Sequence, residues 1–259
     1  MAFFEMKYHS DTLKMGVSLN VILPEKAKTM IGMNGVQSTS YKTLYLLHGL
    51  SDDHSIWMRR TSIERYAAEY GIAVVMPSVG RSWYIDTAYG VNYFTFVTEE
   101  LPRVCRSYFR GMSDRREDNF IAGLSMGGYG AVKAAMTYPE VFGGCASLSG
   151  ALDFTTRDRP NLNTDVKWIF GEACNSSAEL AGTKHDVYYL TGKAAEEKIT
   201  FPKMYLWCGL DDALIEGNRK YSALLDELGV EHVYDESEGN HSWKWWDLHI
   251  QDALRYLLG

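Results

Sequence analysis

Cysteine is scarce in this 259-residue chain, and the four present, Cys105, Cys145, Cys174 and Cys208, form no CxxC pair. That spacing excludes a zinc cluster, and a disulfide framework is not expected at this length. No apolar run reaches the roughly 18 residues that cross a bilayer, so no membrane segment is expected. Basic residues are outnumbered, 26 Lys and Arg against 33 Asp and Glu, a net charge of −7. A nucleic-acid partner would need a basic face, and none is expected. The first residues, MAFFEMKYHSDTLKMG, lack a basic stretch followed by an apolar one. No secretory signal is visible there, and a cytoplasmic location is expected. Internal repeats and linkers rich in Pro, Gly or Ser are missing too, which implies one domain over residues 1–259.

What is present is ordinary globular material, 46% hydrophobic and 23% charged, enough to bury a sizeable core. Aromatic residues reach 13%. They fill cores, but they also line pockets.

Two strands open the chain, Ala2–Tyr8 and Met15–Leu23, the second alternating Val17, Leu19 and Val21. Their closeness predicts an antiparallel start. A glycine-containing loop, Lys28–Ser40, follows. Short apolar runs then alternate with amphipathic helices. The strands are Thr43–Leu47, Ile72–Met76, Asn119–Ala122, Gly144–Leu148, Lys203–Cys208 and Val230–Tyr234. A capping-box spacing, Thr61 with Glu64, opens a helix that Gly71 ends. A longer helix from Phe94 to Tyr108 is expected to kink at Pro102. Further helices cover Gly127–Tyr138, Leu214–Leu228 and Trp243–Leu257. Such alternation means right-handed crossovers and a mostly parallel sheet with helices on both faces, an α/β fold. Gly150–Thr200 breaks the rhythm with a polar stretch and short helical hints at Asp165–Phe170 and Lys184–Leu190. An insertion after a strand lies over the carboxyl edge of such a sheet. Residues 150–200 therefore read as a lid or pocket wall.

Gly123-Leu124-Ser125-Met126-Gly127 matches G-x-S-x-G. A strand runs directly into it and a helix leaves it, the context of a nucleophile elbow. A serine hydroxyl needs a base. Of seven histidines, His9, His48 and His54 precede the serine, against the chain order Ser, acid, His of this architecture. His185 lies in the inserted segment, His232 in a strand and His249 in a helix. His241 stands in the polar loop between the last strand and the last helix, where a base belongs. Asp211 and Asp212, at the end of the strand Lys203–Cys208, both qualify as the acid, and either could instead cap the next helix. An oxyanion hole needs two backbone N–H groups. Met126 supplies one, and Leu50, after the turn Leu47-His48-Gly49, the other. His48 is expected to hold that loop by hydrogen bonds. Trp83, Tyr84 and Trp243 are candidate pocket walls. No His, Cys and carboxylate set has metal spacing, so no metal or cofactor is expected.

These motifs make the chain resemble the tributyrin esterase branch of the esterase D, S-formylglutathione hydrolase-like α/β hydrolases. The resemblance is carried by Leu46-Leu47-His48-Gly49, Ile121 through Gly130, Trp207-Cys208-Gly209 with Asp212, and Gly239-Asn240-His241 with Trp243. Trp83 through Thr87 with Tyr89-Gly90, and Glu99-Glu100-Leu101-Pro102, also fit that branch. It implies an α/β-hydrolase fold and cofactor-free acyl transfer from an ester. In this family the acid commonly stands three residues after the glycine closing its strand, which selects Asp212. S-formylglutathione hydrolases usually carry His where this chain has Tyr129, and their Pro-Trp-Gly signature is absent after the elbow strand. The implied substrate is therefore a small oxygen ester, acetyl to butyryl, including acetylated or feruloylated sugars. Two rivals stand beside this: a glutathione thioesterase, and a catalytically silent hydrolase fold used for binding. A homo-oligomer stays open.

Overall fold

The computed structural model describes residues 1–25, 40–157 and 160–259. Of the expected loop Lys28–Ser40, all but Ser40 lies outside the described residues. One eight-stranded sheet organises the rest. In chain order its strands are β1 (Ala2–Ser10), β2 (Met15–Leu23), β3 (Thr43–Leu47), β4 (Ala73–Pro77), β5 (Asn119–Leu124), β6 (Gly144–Leu148), β7 (Lys203–Gly209) and β8 (Val233–Ser237). Across the sheet they run β1-β2-β4-β3-β5-β6-β7-β8. β1 pairs with β2, and β2 with β4, antiparallel; every later pairing is parallel. This is the α/β-hydrolase arrangement, with the antiparallel start that the first two strands predict.

The helices are α1 (Ile56–Arg60), α2 (Ile63–Tyr70), α3 (Tyr93–Thr95), α4 (Leu101–Tyr108), α5 (Met126–Thr137), α6 (Asn163–Phe170), α7 (Val187–Glu196), α8 (Ile215–Glu227) and α9 (Trp243–Leu258). They build a hydrophobic layer on each face, because alternate residues of a buried strand point opposite ways. Tyr45 and Leu47 join Ile121, Val132 of α5 and Tyr221 of α8 on one face. Leu44 and Leu46 join Ile63 of α2 and Leu254 of α9 on the other.

Local departures have local causes. The Thr61–Glu64 capping box does not form, and α2 starts after Ser62 without a side-chain cap. The Thr61 hydroxyl instead donates to Trp57 O at 2.6 Å, closing α1, a helix the periodicity does not announce. Between α3 and α4 the helix widens into a π turn, Phe96–Glu100, just before Pro102 in the first turn of α4. The proline lacks an N–H and its ring crowds the carbonyl of Thr98. The last strand begins at Val233, not Val230, because Val230 N–H is used on Leu225 O at 2.9 Å, in the turn closed by Gly229 at φ 67°.

Residues 150–200 are tied to the body by named bonds. Ala151 N–H donates to Ser125 O at 3.1 Å. Tyr129 OH donates to His185 O at 2.6 Å, and Tyr188 OH to Gly217 O at 2.9 Å. Arg81 grips Asp165 through two bonds of 2.8 and 2.7 Å.

Candidate active site

β5 ends in a turn that only a small set of residues permits. Ser125 sits at φ 53°, ψ −117°, a strained backbone for a residue with a side chain. It is held there because its N–H donates to Leu148 O at 3.0 Å and its carbonyl accepts from Tyr129 and Ala151. A Cβ on Gly123 would stand 2.5 Å from the Gly127 carbonyl carbon, so the turn could not close with any other residue there. A Cβ on Gly127 would meet Leu47 O and His48 O at 2.7 Å. The first turn of α5 therefore lies directly on the loop after β3. This puts Met126, whose N–H is one of the unpaired donors of a helix N-terminus, beside the loop that carries Leu50.

The hydroxyl of Ser125 lies 3.1 Å from Nε2 of His241. Nδ1 of the same ring lies 2.9 Å from Oδ2 of Asp212. A carboxylate can only accept, so Nδ1 carries the proton, and Nε2 is left to accept from the serine. Asp212 is buried, and its other oxygen accepts from Leu214 N–H at 2.9 Å. Burial pushes its carboxyl up, but the hydrogen bond and charge of His241 and the Leu214 N–H outweigh that, leaving it below the usual carboxylate range. Asp211 is exposed, with its N–H on Gly239 O at 2.8 Å. Gly209 explains the close fit of the two loops: a Cβ there would stand 2.3 Å from the backbone of Gly239. Trp246 meets the His241 ring edge-on at 4.8 Å.

Three other histidines are engaged away from Ser125. His232 Nε2 pairs with Ser222 Oγ at 2.8 Å, and His249 stacks on Trp207 at 4.0 Å. His48 is the hinge of the β3 loop. Its Nδ1–H donates to Gly49 O at 2.7 Å and its Nε2 accepts from Val79 N–H at 3.0 Å. Burial lowers its pKa from 6.5 to about 4. Above pH 6.5 the ring is neutral folded or unfolded. Below it the unfolded chain takes up a proton that the folded chain refuses until about pH 4. Stability is thus expected to fall as pH drops through that window, by at most about 1.4 kcal/mol per pH unit for this group. Urea unfolding at pH 7 and pH 5 checks it. The wild type should lose about 1 to 2 kcal/mol more than His48→Gln over that interval, and equal losses would contradict it.

Trp83 and Tyr84, expected as pocket walls, are instead in the core, at 3% and 1% exposure. Trp83 stacks on Phe154 at 3.9 Å, and Tyr84 OH donates to His48 O at 2.9 Å. Trp243 remains half-buried, edge-on to Trp57 at 5.0 Å and to Trp246 at 5.3 Å. Among the described residues no group of three or more His, Cys, Asp or Glu could hold a metal ion, and no helix is long and apolar enough to cross a membrane.

An elbow serine facing a histidine that is held by a buried carboxylate is an arrangement able to transfer acyl groups. The family comparison agrees: the model of the "Putative esterase" family matches residues 10–257. The chain belongs to this esterase family. As a member it is a carboxylic ester hydrolase. It is 34% identical to an acetyl esterase of Caldicellulosiruptor saccharolyticus, over 99% of this chain and 98% of that protein. Among solved structures it is similar to FphF, a fluorophosphonate-binding serine hydrolase of Staphylococcus aureus. That pair shares 36% identity and a TM-score of 0.85, over 100% of this chain and 98% of the other. A Staphylococcus aureus S-formylglutathione hydrolase, FrmB, aligns at 36% identity and a TM-score of 0.84, over 100% and 99% of the two chains. The esterase thus sits among S-formylglutathione hydrolase-like enzymes, as its motifs imply.

Proposed function

We propose that the protein is a cytoplasmic serine esterase for short acyl chains, acetyl to butyryl, working through an acyl-enzyme. The hydrogen-bonded chain Ser125–His241–Asp212, with links of 3.1 and 2.9 Å, carries this reading. Ser125 Oγ attacks the ester carbonyl. His241 Nε2 takes the hydroxyl proton and returns it to the leaving alcohol. Asp212 holds the tautomer and stabilises the imidazolium. The N–H groups of Leu50 and Met126 hold the oxyanion, and water then releases the acid.

The short-chain assignment is supported by residues 150–200, which we take as a wall of the acyl pocket. Leu152, Phe154, Val166, Ile169 and Val187 among them are spent in the core. Of the segment's large apolar side chains, Trp168 and Tyr189 are exposed, and they form no long aliphatic stripe for a fatty chain. The acetyl esterase relative points the same way. The four cysteines are unpaired, three of them buried, which fits a reducing compartment.

The experiment is a kcat/KM panel of acetyl, butyryl and octanoyl nitrophenyl esters, an acetylated xylo-oligosaccharide, methyl ferulate and a glutathione thioester. Acetyl and butyryl esters should exceed octanoyl by at least about tenfold. A higher value for octanoyl would overturn the chain-length assignment. The thioester arm tests a second reading, favoured by the likeness to FrmB. Against it stands Tyr129, fully buried where S-formylglutathione hydrolases carry His.

A further inference from the structure

Two consecutive residues with side chains, Trp83 and Tyr84, adopt left-handed backbone at φ 54° and 52°. Left-handed backbone is strained for residues with side chains, so the surrounding structure must hold them. The holding contacts around Tyr84 reach both sides of the proposed oxyanion hole. The Tyr84 ring lies against the backbone of α5 so closely that a Cβ on Gly130 would stand 2.5 Å from it. Its carbonyl accepts from Lys133 Nζ at 3.3 Å, from the same helix. Its hydroxyl donates to His48 O at 2.9 Å, in the loop that carries Leu50.

Lys133 is an unusual holder. It is 2% exposed, and its amine stands 3.2 Å from the centroid of the Phe94 ring. Burial brings it down to about 7, with the charge of Asp86 opposing. Asp86 itself is engaged by the N–H and hydroxyl of Thr95. Neutral or charged, the amine still donates to Tyr84 O, and burying it without such a use would be costly.

We propose that Tyr84 and Lys133 are positioning residues that fix the spacing between the two oxyanion donors, a proposal that rests on the serine-esterase reading above. Met126 N–H belongs to the first turn of α5. Leu50 N–H belongs to the β3 loop. Lys133 ties α5 to the Tyr84 turn, and the Tyr84 hydroxyl ties that turn to the β3 loop. The path Lys133–Tyr84–His48 is thus a brace across the gap where an oxyanion would sit. A displacement of either donor by a fraction of an ångström weakens both hydrogen bonds to the developing charge.

The test compares phenyl butyrate with its thiono analogue, in which sulfur replaces the carbonyl oxygen and accepts hydrogen bonds weakly. In Tyr84→Phe and Lys133→Met, kcat for the oxygen ester should fall about ten- to a hundredfold with KM within about twofold. The thiono rate should fall much less, so the oxygen-to-thiono ratio drops at least about fivefold. The double variant should be no worse than the worse single one, because both act along one path. A ratio unchanged in Tyr84→Phe, at wild-type melting temperature, overturns the brace. Should Lys133→Met not fold, Tyr84→Phe decides alone. Ser125→Ala, run alongside, separates the two failures. If it stays active, the serine-esterase reading falls; if it is dead while the ratio is unchanged, only the brace falls.

Discussion

Ser125→Ala is expected to leave less than about a thousandth of the wild-type kcat on butyryl esters, with the melting temperature within a few degrees. Among the described residues the hydroxyl's hydrogen bond is to His241 Nε2 at 3.1 Å. The bonds that shape the elbow come from the Ser125 backbone, through Leu148, Tyr129 and Ala151, and alanine keeps them. The strained φ of 53° is no worse for alanine than for serine. Activity should therefore vanish without the fold. Measured as kcat per mole of purified protein, a residual rate above about a thousandth of wild type would remove Ser125 from the mechanism.

The second large effect separates two neighbours. Asp212→Asn should lower kcat by several orders of magnitude near pH 7, on the pattern that an amide in this place holds the wrong histidine tautomer. An amide nitrogen facing Nδ1 would donate, forcing the proton onto Nε2, where it cannot accept from Ser125. Asp211→Asn should change kcat by less than about tenfold. The Asp211 side chain is exposed, and only its backbone N–H, which asparagine keeps, bonds the Gly239 carbonyl. Both variants need kinetics at matched thermal stability. The opposite ranking would move the acid to Asp211.

Much of this site is written in short stretches of sequence. The elbow is legible because its first glycine is forced by a backbone approach within five residues, Gly123 against Gly127. His241 is legible because the strand and helix on either side of its loop have clear periodicity, and the loop follows the strand at the carboxyl edge. Strand position alone leaves Asp211 and Asp212 level, and it is the spacing from Gly209 implied by the family resemblance that selects Asp212. In the fold Asp212 bonds His241 Nδ1 and Leu214 N–H, while the Asp211 side chain is exposed. Other features depend on partners far along the chain. Tyr84 and Trp83 look like pocket aromatics from composition. They are core because Gly130 and Phe154, 46 and 71 residues later, leave room for them and cover them. The capping box fails because α2 starts after Ser62, one residue beyond Thr61, so Glu64 falls at its second position and not its third, and Thr61 Oγ accepts from Ile63 N–H at 3.2 Å. Helix α1, five residues long, is too short for its period to show.

The central claim is that Ser125 is an activated nucleophile and the one that takes up the acyl group. Its most direct test is to treat the native protein with a fluorophosphonate, digest it and map the adduct by mass spectrometry. The expected result is one adduct per chain on the peptide containing Gly123-Leu124-Ser125-Met126-Gly127, lost in Ser125→Ala and strongly slowed in His241→Ala. An unlabelled wild-type protein, or an adduct on another residue that survives Ser125→Ala, would contradict the account.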